Sequence, residues 1–357
     1  MNSSNDWHRK FSNLLPNEAP IDKCWAKFAC LEIDGVVIPS TVSQPIANNC
    51  YAVSPLSLIS GYAEDELPKV KNAFAQILCR FMIKAVVMPL KLAKLDEVQT
   101  LNNQCLSTNM YSSSWRTISL QKIRDAALKL APRQALLLRS LNPFQHLSII
   151  ENAKNDGWVP IATRQVYLHC DWDNFKLTPD IKRDKKLLIE AGWEFRALES
   201  KQECERAKTL YDALYLDKYS EHNIKFTAQY LYRMSQEDLV QLQGLFYQGR
   251  MVAALGMVII DGDMTCPIFG YDTSLPTKLA LYRRLSIFTI EYAKSHNLNF
   301  NMSSGAPRFK THRGAKPEIE YSYVYTKHLT WFQRGIWRLL SVLTQTFYKP
   351  LLQKYRL

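Results

Sequence analysis

The feature that most constrains this chain is a cationic insertion between two alternating stretches near its C-terminal end. Residues 299–325 read NFNMSSGAPRFKTHRGAKPEIEYSYVY. Alternation of apolar and polar residues on both sides predicts two strands, and the Ser-Ser-Gly-Ala-Pro run between them predicts an irregular loop. The loop carries four cations, Arg308, Lys310, Arg313 and Lys316. Because like charges repel unless an anion offsets them, we interpret the loop as a binding site, with a solvated charged loop as the alternative.

Charge and composition limit the classes of protein to consider. The chain has 357 residues, of which 47% are apolar and 22% charged, which is typical of a folded protein with room for two domains. The formal net charge is +12, and ten Lys/Arg against two Glu place +8 of it in residues 301–357. This basic end predicts an anionic partner, which could be a phosphate-bearing cofactor, a nucleic acid or a membrane surface.

Cysteine usage and hydropathy favour a cytoplasmic protein. The eight cysteines are scattered without a CxxC pair, which predicts reduced thiols rather than a disulfide framework or a zinc site. The N-terminal segment is polar and shows no secretory signal. The longest apolar run, residues 73–92, is interrupted by Arg80, Lys84 and Pro89, so no segment is expected to span a bilayer. The sequence also lacks the GxSxG, HExxH, P-loop and GxGxxG motifs of hydrolases, zinc proteases and nucleotide-binding folds.

The periodicity predicts helices and strands that alternate along most of the chain. Helices are expected over 64–95, 119–130, 143–155, 179–191, 201–219, 227–234 and 277–295. Strands are expected over 134–139, 159–168, 193–198, 240–247, 251–260, 264–270, 298–302 and 319–325, with short strands around 28–38 in an otherwise loop-rich first 66 residues. Asp261-Gly262 is a two-residue hairpin signal between two of these strands. The mixture predicts an α+β fold with α/β-type layers.

The order of these elements resembles a known family. Residues 182–198 (KRDKKLLIEAGWEFRAL), 219–230 (YSEHNIKFTAQY) and 300–315 (FNMSSGAPRFKTHRGA) are similar to the tandem-GNAT proteins of the Fem and BioF2-like acetyltransferase group. The resemblance extends over about 180–326, is weaker over 120–180 and is absent before about 110. It implies two GNAT-like mixed-sheet lobes: an N-terminal extension (1–110), a degenerate first lobe (111–178), a second lobe (179–328) and a basic amphipathic C-terminal helix (329–357).

The resemblance implies transfer of an acyl or aminoacyl group to an amine or hydroxyl. In that fold, strands that separate expose main-chain N–H groups to a carbonyl, and a helix N-terminus faces a pyrophosphate. The favoured donor is a thioester, acyl-CoA or an acyl carrier protein. The segment before the expected helix, residues 273–278, contains no glycine and so departs from the usual phosphate loop. A Fem-like enzyme that uses aminoacyl-tRNA, and a non-catalytic membrane-peripheral protein, are the alternatives.

The candidate residues follow from these elements. For catalysis we consider Asp272 as a general base and Tyr271 as a proton donor, with turn capping and packing as their alternative roles. The candidates for binding the cofactor are Thr277, Lys278, Arg283 and Arg284. The candidates for binding the substrate are His222, Ser303, Ser304, Arg308, Lys310, Arg313 and Lys316. No metal is expected.

The C-terminal segment, residues 331–357, combines an aromatic-rich apolar stripe with interspersed cations. Two interpretations stay open. The segment could be a helix packed on the body of the protein, or it could lie in the interface of an anionic membrane, where Trp and basic residues are favoured. The second interpretation makes the protein peripheral on the inner face of a membrane.

Overall fold

The computed structural model describes residues 4–14, 21–22, 24–61, 73–217 and 220–355. Its helices are α1 Ser4–Leu14, α2 Ala73–Leu92, α3 Leu120–Leu130, α4 Pro143–Asp156, α5 Pro179–Leu188, α6 Lys201–Tyr215, α7 Ala228–Gln236, α8 Leu281–Ser295, α9 Pro307–His312, α10 Trp331–Leu343 and α11 Lys349–Tyr355. Its strands are β1 Ile21–Asp22, β2 Ala26–Ile33, β3 Val36–Ser43, β4 Val98–Leu101, β5 Ala135–Leu141, β6 Val159–His169, β7 Trp193–Ala197, β8 Lys225–Phe226, β9 Gln241–Tyr247, β10 Arg250–Ile260, β11 Asp263–Tyr271, β12 Asn299–Asn301 and β13 Lys316–Tyr325.

One mixed sheet connects both halves of the chain. Within the described residues its strand order is β2-β3-β4-β5-β13-β6-β12-β11-β10-β9-β7. The two halves exchange strands at the centre: β13, from the end of the sequence, pairs with β5, where Tyr321 lies opposite Leu141. In return β6 pairs with β12, where His169 lies opposite Phe300. Because this exchange joins the halves by backbone hydrogen bonds, they cannot separate without breaking the sheet.

Helices cover both faces of the sheet. The packing of α3 and α4 buries Ile123 and Ile150 against Leu136 and Leu138 of β5 on one face. On the opposite face α10 contributes Trp337, which packs in a cluster that includes Leu137 of β5 and Leu90 of α2. Alternate residues of a strand point to opposite faces, so β5 is apolar on both, as its continuous apolar sequence predicts.

The structure confirms the predicted α+β class and many of the predicted elements. Asp261 and Gly262 form the turn between β10 and β11, with Ile260 paired to Asp263. The expected strands around 28–38 form the hairpin of β2 and β3, in which Ile33 pairs with Val36. Residues 64–72, the first part of one expected helix, lie outside the described residues.

Three expectations about local structure were wrong. The stretch 4–14 was expected to be loop-rich but is helical, because Trp7 and Phe11 fall on one helical face and are buried. The helix expected from residue 277 begins at Leu281, after a short 3₁₀ turn over Thr277–Leu279. The cationic loop also contains the short helix α9, for which a proline at the first helical position is well suited.

Candidate functional site

The two strands that flank α8 in the sequence start as neighbours and then separate. β11 and β12 pair in parallel over three residues, from Asp263 beside Asn299 to Thr265 beside Asn301. β12 then ends, whereas β11 continues to Tyr271 with β10 as its neighbour. Beyond Thr265, the other edge of β11 pairs with no strand in the described part of the chain, and we call this place the strand opening.

The hydrogen bonding of β11 determines which of its backbone groups face the strand opening. The N–H of Asp272 donates to the carbonyl oxygen of Val252 at 2.9 Å. Because N–H groups alternate between the two edges of an antiparallel strand, the N–H of Phe269 points away from β10 and toward the opening. Pro267, two residues earlier on the same edge, has no N–H. The N–H of Phe269 is thus placed to polarise a carbonyl group.

Lys310 fixes the turn that forms the other side of the strand opening. Its Nζ donates to the carbonyl oxygens of Met302 at 2.7 Å, Ser303 at 3.1 Å and Ser304 at 2.7 Å. Ser303 and Ala306 adopt left-handed backbone conformations, with φ of 59° and 51°. Lys310 is 5% exposed, and burial, with the nearby charge of Arg164, lowers its pKa to about 7. The ammonium group of Lys310 is therefore engaged by backbone carbonyl groups of the protein, and this arrangement does not favour the predicted role in binding a substrate.

Aromatic side chains line the strand opening. The ring of Tyr282, in the first turn of α8, contacts the rings of Phe309 and Phe269, with centroid distances of 4.7 and 5.5 Å. The ring of Tyr271 lies 6.4 Å from that of Tyr282. This half-buried lining suits an apolar group better than a phosphate.

Two of the predicted binding arginines form ion pairs inside the protein. Asp184 on α5 is fully buried and accepts hydrogen bonds from Nε of Arg283 and from Nε of Arg313, each at 2.7 Å. The guanidinium of Arg313 also lies 3.4 Å from the ring centroid of Phe309. The carboxylate of Asp184 thus links α5 to α8 and to the end of α9. Because both guanidinium groups pair with it, their charges are offset within the protein.

Arg284 is held in a similar way. Its guanidinium lies over Trp193, 3.6 Å from the ring centroid. Its Nε donates to the carbonyl oxygen of Leu279 at 3.1 Å, and its other nitrogens contact the carbonyl of Leu187 and the carboxylate of Glu190. The guanidinium of Arg284 is engaged by these contacts within the protein. A pyrophosphate at the start of α8 would therefore have to be bound by other groups.

Four more of the predicted binding residues are on the surface. Thr277, Lys278 and Arg308 are exposed near the start of α8 and on α9. Lys316 is exposed and pairs with Asp171 at 3.2 Å. In the described ranges no group of three or more His, Cys, Asp or Glu side chains could hold a metal ion.

Asp272 has the surroundings of a structural carboxylate. Its Oδ1 accepts from the hydroxyl and the N–H of Ser274, and its Oδ2 accepts from Arg206 at 3.1 Å and Arg250 at 3.0 Å. The Ser274 hydroxyl contributes most to lowering the pKa of Asp272 below its usual value, and Arg206 adds to this effect. A general base that acts near neutral pH needs a raised pKa, so this geometry favours the turn-capping role.

His222 lies where the two halves of the chain meet. Its carbonyl oxygen accepts from the N–H of Tyr51 at 3.1 Å. A Cβ on Gly61 would lie 2.5 Å from the His222 ring, so only glycine fits at that position. The buried Nδ1 of His222 has no hydrogen-bond partner among the described residues. The structure thus brings His222 close to the segment 51–61.

One hydrogen-bond network at the junction of the two halves is not predicted by the sequence analysis. Arg164 on β6 forms a bidentate pair with Glu320 on β13, at 2.7 and 3.2 Å. Nη1 of Arg164 donates to the hydroxyl of Ser303 at 3.1 Å, and Nη2 donates to that of Thr108 at 3.0 Å. These partners lie far apart in the sequence, so no local pattern indicates them.

Comparisons with known proteins identify the fold. No protein-family model matches the chain, and no curated protein matches it. Among solved structures, FemX aligns with 96% of this chain and 99% of its own at a TM-score of 0.50 and 8% identity. The C-terminal domain of a putative lysylphosphatidylglycerol synthetase from Agrobacterium fabrum covers 63% of this chain and 76% of its own, at a TM-score of 0.46 and 14% identity. A GCN5-related N-acetyltransferase from Kribbella flavida covers 63% and 79%, at 0.33 and 13%.

These results concern the architecture of the protein. The FemX alignment extends over nearly the whole of both chains, and at 8% identity it shows the fold alone. The chain therefore shares the fold of FemX, in agreement with the sequence resemblance to the Fem-like group. Among the described residues, no helix combines the length and apolar character needed to cross a bilayer.

Proposed function

We propose that the protein is an acyltransferase that moves an acyl group from a thioester donor to an amine or hydroxyl acceptor. The observation that carries this proposal is the strand opening, where the N–H of Phe269 points away from β10 at a strand edge flanked by aromatic side chains. A thioester carbonyl placed there would accept a hydrogen bond from Phe269, which stabilises the negative charge that develops on its oxygen. The acceptor forms the new C–N or C–O bond, the C–S bond breaks, and the acceptor's proton passes to the leaving thiolate.

The side chains near the opening suggest how the proton moves. Tyr271 ends β11 beside Tyr282, so its hydroxyl is the proposed donor to the leaving thiolate. The acceptor's proton then passes to Tyr271 and restores its hydroxyl, so that the net transfer is from the acceptor to the thiolate. Asp272 is left out of the proton transfer because its pKa is lowered and both of its oxygens are occupied. Positioning of the donor and the acceptor next to each other would account for most of the rate enhancement.

The donor is proposed to be carried by acyl-CoA or by an acyl carrier protein. Since Arg283 and Arg284 are occupied by Asp184 and Glu190, the start of α8 offers Lys278 and its backbone N–H groups to a phosphate. Two cations on the nearby surface, Lys278 and Arg308, would also suit an acidic carrier protein. The same engagement of the arginines favours the second candidate, transfer from aminoacyl-tRNA, in which no pyrophosphate has to bind at α8.

A donor-discharge assay tests the proposal. The purified protein is incubated with acyl-CoAs of increasing chain length, with acyl carrier protein loaded with the same chains, and with aminoacyl-tRNA, each with a panel of amines and alcohols. We expect acceptor-dependent release of thiol, with Tyr271→Phe about tenfold or more slower and Tyr292→Phe unchanged as the matched control. Discharge of aminoacyl-tRNA alone would establish the second candidate. Discharge of none of the donors would contradict both and favour a non-catalytic protein.

A further inference from the structure

A cavity lies beside β4, β5 and β6, on the face of the sheet that α10 covers. Its volume is about 260 Å³, well above the roughly 150 Å³ that holds a benzene molecule in an apolar protein cavity. Its walls are mostly apolar and include Leu137, Ile161, Leu58, Trp337 and Leu340. They come from β5, β6, the segment 51–59 and α10. A space of this size and lining suits a hydrocarbon chain.

One wall of this cavity carries a buried cation that has no acidic partner among the described residues. Arg139 on β5 is 7% exposed and lines the cavity. Among the described residues its hydrogen-bond acceptors are both neutral: the carbonyl oxygen of Ala52 at 3.1 Å and Oδ1 of Asn103 at 3.3 Å, both reached from Nη1. The other buried arginines described above, Arg313 and Arg284, each pair with a carboxylate. A buried charge without a counter-ion is costly, so it is expected to have one when the protein works.

A second polar group that lines the same cavity has no partner in the described part of the chain. Thr100 is fully buried on β4, in register with Leu137, and its hydroxyl has no hydrogen-bond partner in the described part of the chain. A buried hydroxyl without a partner destabilises the protein, and a ligand oxygen would relieve that cost. Arg139 follows Leu137 by two residues on β5, so both polar groups lie on the side of the sheet that faces the cavity.

We propose that this cavity binds a single-chain anionic amphiphile, with its carboxylate or phosphate at Arg139 and Thr100 and its chain along the apolar walls. Arg139 supplies the charge that the anion needs, and the walls bury the chain at about 25 cal/mol per Å² of apolar surface removed from water. The site lies on the first half of the sheet, whereas the strand opening lies on the second. The proposal therefore does not depend on acyl transfer.

The surroundings of the cavity bear on where such a ligand comes from. The helix α10 lines the cavity with Trp337 and Leu340 and presents Leu339 and Val342 to solvent. Residues 73–92 and 331–355 contain lysines and arginines but no acidic residue. An anionic lipid surface and a free fatty acid would share the chemistry proposed for the site, and the experiment has to separate these sources.

Calorimetric titration of the whole protein tests the proposal with dodecanoate, dodecyl phosphate, dodecanol and butanoate. We expect the two anionic chains to bind at least about tenfold more tightly than dodecanol, because only they pair with Arg139, and butanoate to bind too weakly to detect. Equal binding of dodecanol and dodecanoate, or binding of neither, would overturn the proposal. This comparison uses the unaltered protein, so it stays decisive even if a variant fails to fold.

Variants locate the binding. Ser322 lines the cavity, and Ser322→Leu should fill it and abolish binding of every chain. Arg139→Gln should remove the preference for the anions but keep binding of dodecanol, whereas Lys122→Gln, at an exposed ion pair with Asp34, should change nothing. Binding of dodecanoate that persists in a folded Ser322→Leu variant would overturn the assignment. Uptake of labelled palmitate from phosphatidylglycerol vesicles would identify a membrane source, and uptake only from solution a soluble one.

Discussion

Nε of Arg313 donates to Oδ2 of Asp184 at 2.7 Å, and both side chains are buried. Arg313 lies in the cationic stretch that the sequence marks as a substrate-binding loop. In the folded protein it joins α9 to α5, and Arg283 adds α8 to the same carboxylate. The charge of this stretch is therefore partly internal, offset by an aspartate that lies about 130 residues earlier in the sequence.

Loss of Asp184 should destabilise the protein strongly. Asp184→Asn leaves two guanidinium groups without their carboxylate, and breaking a buried pair by removing one partner costs about 3–5 kcal/mol. The matched control is Asp34→Asn, which removes an exposed pair with Lys122 and should cost at most about 1 kcal/mol. Urea unfolding of both variants measures the difference. Similar losses for the two would show that the buried ion pairs do not stabilise the fold.

Lys310 should give the stability of the protein a distinct pH dependence. Burial lowers the pKa of Lys310 from 10.5 to about 7 in the folded protein. Between pH 7 and 10.5 the unfolded chain binds this proton and the folded protein does not, so the contribution of Lys310 makes the free energy of unfolding rise with pH. The slope from one such group is at most about 1.4 kcal/mol per pH unit.

The comparison with Lys310→Met isolates this effect. The free energy of unfolding of the unaltered protein minus that of the variant should increase between pH 7 and 9, because the variant lacks the titrating group. Unfolding by urea at several pH values measures it. A constant difference over that range would mean that Lys310 keeps its proton, held by the three carbonyl groups that it contacts.

Asp272→Asn distinguishes a structural carboxylate from a catalytic one. Because its pKa is lowered by Ser274 and Arg206, we expect kcat/KM for acyl transfer to fall by no more than about threefold, within the range of a positioning effect. A general base would cost about 10²–10⁴ in rate and would remove the acidic limb of the pH profile. Measurement of kcat/KM from pH 5 to 9 decides between the two.

The basic C-terminal segment is proposed to bind anionic membranes. Trp331 is 79% exposed and Phe347 is 62% exposed, in a region that has cations but no acidic residues. We expect the protein to float with phosphatidylglycerol vesicles and the double variant Trp331→Ser, Phe347→Ser to bind about tenfold or more weakly, since each aromatic buries apolar surface in the interface. Phe144→Ser, at an exposed aromatic of α4, is the matched control. Unchanged flotation of the double variant would contradict the proposal that these aromatic side chains bind the membrane. It would favour the alternative, in which the segment only packs on the body of the protein.

Local signals in the sequence were enough for much of the fold. Asp261-Gly262 predicts the hairpin of β10 and β11 because such a pair adopts the left-handed conformations that the turn requires. Ser200 precedes the first residue of α6 and forms a capping box with Glu203. Signals of this kind involve residues a few positions apart, so their effect on local structure does not depend on contacts with distant parts of the chain.

The functional features depend on partners that are distant in the sequence. Arg139 becomes unusual only because the folded chain places Ala52 and Asn103, both neutral, beside it. Arg164 finds Glu320 only after the two halves have exchanged strands. From the sequence alone, a cluster of cations predicts a binding site for an anionic ligand. The sequence does not show which of these cations are paired with a carboxylate elsewhere in the chain.

The most direct test of the proposed acyl transfer is hydrogen exchange at the amide of Phe269. The protein is compared alone, with a non-hydrolysable analogue of the acyl donor in which a methylene group separates the sulfur from a retained carbonyl group, and with the donor's free thiol carrier. If the donor carbonyl accepts a hydrogen bond from Phe269, the analogue should slow exchange in the β11 peptide and the carrier alone should not. Equal exchange at Phe269 with and without a bound analogue would contradict the proposal that the strand opening is the site of transfer.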